Sequence, residues 1–137
     1  MRVNSLHKWT CWIQGVYFAL TGLWPLISIE TFQIVTGRKT DHLVTGNEAD
    51  HWLVNTVGAL VLADAVVFLA AAWNRRTTSD VAILGIGTAI ALTTIDVVYV
   101  VRNAISAVYL VDAAAEIVLI VLWITVLWTS KTLGINS

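Results

Sequence analysis

Four long apolar runs, residues 10–32, 52–73, 81–101 and 104–128, alternate with short polar stretches along the chain. Each holds roughly the 20 residues with which an α-helix crosses about 30 Å of hydrocarbon. The pattern predicts an all-α fold: a four-transmembrane-helix bundle, antiparallel, in one membrane domain over 1–137, with both termini on the same side. A polar stretch over 37–51 separates the first two runs. A turn over 74–80 carrying Arg75 and Arg76 joins the next pair, and a tight connection at Arg102-Asn103 joins the last. Connections this short are expected to make the last three helices antiparallel neighbours. The first run is longer than the apolar part of a secretory signal, and Ala19-Leu20-Thr21-Gly22 is a poor cleavage site, so it is expected to stay as a span.

Aromatic and charged positions refine these limits. Trp9, Trp12, Trp52, Trp73 and Trp128 fall at run ends, where amphipathic rings favour the headgroup level. Four crossings put Arg2, Lys8, Arg75, Arg76 and Lys131 on one side against Arg38, Lys39 and Arg102 on the other. The positive-inside rule then makes both termini cytoplasmic. Lys8, Arg75, Arg76 and Lys131 are read as lipid-headgroup contacts.

The first run carries two stripes. Gly15, Ala19 and Gly22 follow the small-residue spacing that lets transmembrane backbones approach closely. Gln14, Tyr17, Thr21, Trp24, Ser28 and Thr31 form a second stripe, too polar for lipid tails and expected to face the bundle interior. Pro25 should kink the helix, with Thr21 placed to bond the carbonyl it frees.

Composition narrows the class. Apolar residues make up 58% of the 137 and charged ones 12%, with a mean hydropathy of +0.78, so the expected solvent is membrane lipid. A net charge of -1 provides no basic field for nucleic acid, which is excluded as a partner. Cys11 is the single cysteine and is read as a small apolar filler, with no intrachain disulfide available to it.

The chemistry lies in acids where lipid disfavours them: Asp64 in the second helix, Asp96 in the third, Asp112 and Glu116 in the fourth. An ionised acid at mid-helix costs about 2.5 to 3.5 kcal/mol even on the lenient insertion scale, so four left uncompensated approach roughly 10 kcal/mol. Such groups face an interior cavity as a rule. Asp112 and Glu116 are four apart and share one face with Tyr109 and Trp123. At about 1.5 Å per residue from the outer ends, Asp96 lies roughly 9 Å deep, Asp112 about 12 Å, and Asp64 and Glu116 about 18 Å. Arg102 is the cation at the mouth of such a cavity. Carboxyls crowded into a low-dielectric space cannot all carry charge, so an acid and a base are expected together among Asp64, Asp112 and Glu116.

Outside the membrane, Thr36 to His42 and Thr45 to His51 both read TGxxxDH. Asp41, His42, Asp50 and His51 have the donor types of a divalent-metal site, but the spacing matches no metal signature. The plainer reading is a small duplication in a solvated loop, with Asp50 capping the helix that follows. No metal or other cofactor is expected. Glu30 lies opposite the polar stripe and is read as snorkelling to the outer interface.

The stretches Leu23-Trp24-Pro25-Leu26, Thr36-Gly37-Arg38-Lys39-Thr40-Asp41 and Trp52-Leu53-Val54-Asn55-Thr56-Val57-Gly58 resemble a segment of small, loosely DoxX-like bacterial four-helix membrane proteins. The resemblance covers about a quarter of the chain; here the second TGxxxDH copy separates elements that run almost directly together there. It implies a bacterial inner-membrane protein and brings no activity with it.

The expected function is binding of a lipophilic or cationic small molecule in an acid-lined intramembrane cavity. Asp64, Asp112 and Glu116 would be its catalytic acids and bases. Asp96, Tyr99, Tyr109, Trp24, Trp123 and Arg102 would contact substrate, with aromatic faces stabilising positive charge. Isomerase or cyclase chemistry on an isoprenoid-like substrate fits that site. The same acids would serve a proton-coupled small-cation transporter, which with four helices calls for a homodimer. A third class, a non-catalytic membrane subunit, would use the Gly15, Ala19, Gly22 stripe for its partner. Against an enzyme, the chain has no serine or cysteine nucleophile with a matching base and no glycine-rich phosphate loop. Against a transporter, no helix carries paired Gly or Pro breaks.

Overall fold

A computed structural model describes residues 2–36, 49–76 and 78–132. They form five helices: α1 (Arg2–Ile27), α2 (Ile29–Thr36), α3 (Ala49–Asn74), α4 (Ser79–Val101) and α5 (Tyr109–Thr132). Among the described residues the regular structure is thus all helix. Three helices are long and apolar enough to cross a membrane, or up to four if the bent pair α1 and α2 makes one span. Their outward faces are apolar, with Leu60 64% and Val111 73% exposed, a surface that lipid accepts and water does not.

The first run, read as one helix over 10–32, is two helices that meet at 113°. The cause is local. Pro25 has no N–H for the helix ladder, and three residues later Ser28 leaves the helix. Ser28 then caps α2, its hydroxyl oxygen accepting the Thr31 N–H at 3.4 Å. Trp24 clamps the bend by donating its indole N–H to Thr31 Oγ1 at 3.1 Å and meeting Phe32 edge-on at 5.7 Å. The Thr21 hydroxyl donates to the Tyr17 carbonyl at 3.0 Å, one turn back, and not to the carbonyl freed by Pro25.

The connection after α4 also differs from the expected tight joint at 102–103. Residues 102–108 are irregular, and α5 begins at Tyr109 where the apolar run had suggested 104. Asn103 adopts a left-handed φ of 56°, and the Ala104 N–H closes the end of α4 on the Tyr99 carbonyl at 2.9 Å. Ser106 then starts the next helix, its hydroxyl accepting the Val108 N–H at 3.3 Å.

A matching left-handed cap ends α3 at Arg75, with φ 53° and the Arg76 N–H bonded to the Ala71 carbonyl at 3.1 Å. Arginine has no side-chain compensation for that backbone, which glycine adopts freely. Arg75→Gly is therefore expected to stabilise the chain by about 1 kcal/mol and Arg75→Val to destabilise it, read as opposite shifts in thermal unfolding in detergent.

Helix pairing departs from chain order. α1 lies along α3, α4 along α5, and α1 also packs on α5, whereas α3 and α4 make only slight contact despite their short connection. A short turn ties two helix ends but does not oblige their lengths to pack. The α1–α3 seam is backbone against backbone: a Cβ built on Gly22 would lie 2.6 Å from the Gly58 carbonyl oxygen, and one on Gly58 2.8 Å from that of Gly22. Gly15 is filled chiefly by the Leu69 side chain. Gly15 and Gly22 of the small-residue stripe are thus filled by α3 of the same chain. Near the ends of the chain, His7 Nε2 and Ser130 Oγ lie 2.8 Å apart and tie α1 to α5.

The core beneath is aromatic and polar together. Phe18, Phe68 and Trp123 are fully buried in sequence, with centroids 5.8 and 6.4 Å apart. Trp123 donates its indole N–H to Gln14 Oε1 at 2.6 Å, and Gln14 Nε2 donates to the Gly85 carbonyl at 3.1 Å. Gln14 so joins α1, α4 and α5. Gly85 has no room for a side chain, since a Cβ there would lie 2.5 Å from the Trp123 nitrogen.

Candidate functional site

Helical spacing on α5 sets Asp112 and Glu116 one turn apart, and the packing of α1 and α4 against α5 supplies what surrounds them. Tyr17 on α1 donates its hydroxyl to Asp112 Oδ1. Asp96 on α4 is 6% exposed, and both it and Asp112 lie close enough to Glu116 for their charges to act on it. All three acids act on Tyr17. Glu116 itself is 0% exposed, and neither of its carboxyl oxygens hydrogen-bonds to any described residue.

That last feature separates Glu116 from an ordinary structural acid. Buried polar groups in native proteins are nearly always satisfied, because an enclosed group without a partner costs about 1–3 kcal/mol by mutational measure. Asp112 has a tyrosine; Glu116 has no hydrogen-bond donor among the described residues.

The remaining expected site residues are dispersed. Asp64 accepts a hydrogen bond from Thr88 Oγ1 at 3.2 Å, a polar link between α3 and α4. Trp24 holds the α1–α2 bend. Trp123 lies in the core with its indole committed to Gln14. Tyr99 and Arg102 are exposed near the end of α4, the guanidinium 6.0 Å from the ring centroid. Tyr109 is half-buried at the start of α5. The structure therefore brings Asp96, Asp112 and Glu116 together and adds Tyr17, which the sequence had marked only as part of a polar stripe.

Two open apolar concavities adjoin the cluster. One, of about 220 Å³, is lined by Ile13 and Tyr17 on α1 and by Ala115, Val118 and Leu119 on α5. The other, of about 480 Å³, shares Ile13 and Tyr17 and runs along α1 by Trp9, Trp12, Val16 and Leu20. Neither has a carboxyl on its wall. Among the described residues, no three His, Cys, Asp or Glu side chains converge as a metal-ligand set. The TGxxxDH repeat falls largely on residues 37–48, outside the described residues.

Compared with protein-family models, with curated proteins and with solved structures, the chain matches none.

Proposed function

We propose that this chain crosses a bacterial cytoplasmic membrane four times, with α1 and α2 as one broken span, and binds a lipophilic or cationic small molecule within the bilayer at Asp96, Asp112 and Glu116. The observation that carries the reading is Glu116, fully enclosed, without a hydrogen-bond partner among the described residues, and beside two further acids. An arrangement that costs stability is what a site kept for a ligand looks like. The His7–Ser130 contact supports termini on one side, and the exposure of Trp9, Trp52, Trp73 and Trp128 supports aromatic belts at both interfaces. With Arg2, Lys8, Arg75, Arg76 and Lys131 on that side, the termini are cytoplasmic.

Native mass spectrometry of the full chain purified in mild detergent tests this. A small molecule is expected to travel with the wild type and to be absent from Asp112→Asn combined with Glu116→Gln. A bare protein in both preparations, with the variant less stable than the wild type, would assign the cluster a structural role.

A further inference from the structure

The enclosed acids and the smaller apolar groove meet at one side chain. Tyr17 lines the groove opposite Ala115 and Leu119, and its hydroxyl donates to Asp112. Ala115 directly precedes Glu116 in α5. The Tyr17 side chain therefore touches both the open groove and Asp112, one helical turn from a Glu116 carboxyl that no described residue satisfies. The larger concavity continues the groove along α1 past Val16.

Resting on the reading of this cluster as a ligand site, we propose that the ligand is a single-chain primary amine that arrives sideways from the membrane. Its hydrocarbon chain lies in the α1–α5 groove, and its ammonium displaces the Tyr17 hydroxyl to bridge Asp112 and Glu116. The chemistry of the two halves meets at Tyr17. The groove offers only apolar wall, which a hydrocarbon chain matches and a polar solute does not. Glu116 offers two carboxyl oxygens without a donor among the described residues, and a primary ammonium brings three N–H donors with its charge and no acceptor that would need a partner of its own. Arg102, the nearest cation anticipated for this end of the molecule, is exposed and turned to Tyr99. A quaternary ammonium carries the charge but leaves the Glu116 oxygens without donors, and an alcohol carries a donor without the charge.

The test uses the full chain in mild detergent and three added probes of equal chain length: dodecylamine, dodecyltrimethylammonium and dodecanol. Wild type is expected to retain dodecylamine at least about tenfold better than either of the others, the difference that charge-assisted donors make. Glu116→Gln should remove that preference. Ala115→Phe, which fills the groove from its lipid-facing side, should weaken retention to a similar degree with the unfolding temperature unchanged, and Val118→Trp provides the same obstruction from the next turn. Tyr17→Phe should strengthen it severalfold, because no hydroxyl then competes for Asp112. Equal retention of amine and quaternary ammonium would overturn the assignment. Loss in Glu116→Gln with no effect of either groove variant would overturn the sideways route and leave the carboxyl site standing. A different co-purifying molecule that depends on Glu116, with no dodecylamine bound, would overturn the amine and leave the broader reading intact.

Discussion

Gly22→Leu is expected to separate α1 from α3 and to cost about 3 kcal/mol or more, the upper end of what overpacking a tight interior produces. The atoms in the way decide the size. At Gly22 the nearest neighbours of an added Cβ are backbone, the Gly58 carbonyl oxygen at 2.6 Å and the Leu62 nitrogen at 2.8 Å, and neither can rotate aside. At Gly15 the closest atoms belong to the Leu69 side chain, at 2.9 Å, and the Leu69 backbone nitrogen stands back at 3.2 Å. Leucine has other rotamers, so Gly15→Ala should cost only about 1 kcal/mol. At Gly87 nothing lies within 4 Å, and Gly87→Ala should gain up to about 1 kcal/mol from helix propensity alone. Unfolding of the variants in one detergent measures the series. Equal losses at Gly22 and Gly87 would mean that the α1–α3 seam does not close as described.

Much of this fold is legible in the sequence because lipid imposes a coarse rule. A segment must be apolar for about 20 residues and must satisfy its own backbone, so the runs around α3, α4 and α5 stand out. The same rule hides the finer structure. Mostly apolar residues continue through the 113° bend at Ser28 and through the irregular residues 104–108, so hydropathy misses the bend and starts the last helix too early. What marks them is capping chemistry: Ser28 against Thr31, the Trp24–Phe32 pair, and Ser106 against Val108. Loop length misleads in turn, since it suggests α3 beside α4, while the Gly22–Gly58 approach takes α3 to α1.

The site divides along the same line. The Asp112–Glu116 pair follows from spacing within one helix and could be written down at once. Tyr17 as the donor to Asp112, and Gln14 as the acceptor for Trp123, both depend on α1 lying against α5. The polar stripe predicted that Gln14 and Tyr17 point inward without saying at what. Depth alone grouped Asp64 with Glu116, but equal depth on different helices does not fix direction, and the bond from Thr88 shows where Asp64 is engaged.

Glu116→Met is expected to make the protein more stable, by about 1–3 kcal/mol, while ending ligand retention. Methionine is close in shape to glutamate, unbranched and free of polar atoms, so it fills the fully enclosed position without leaving a cavity. Nothing is lost in exchange, since neither Glu116 oxygen bonds to a described residue. The neighbouring acid gives the contrast. Asp112→Leu strands the Tyr17 hydroxyl that now donates to Asp112, and should lower stability by about 1–2 kcal/mol. If both acids were structural, both replacements would destabilise. Opposite signs at positions one turn apart, read by thermal unfolding of the two variants in the same detergent, would identify Glu116 as a group kept at a cost to the fold. Destabilisation by Glu116→Met would instead mean that its carboxyl holds the helices together, and the ligand reading would go with it.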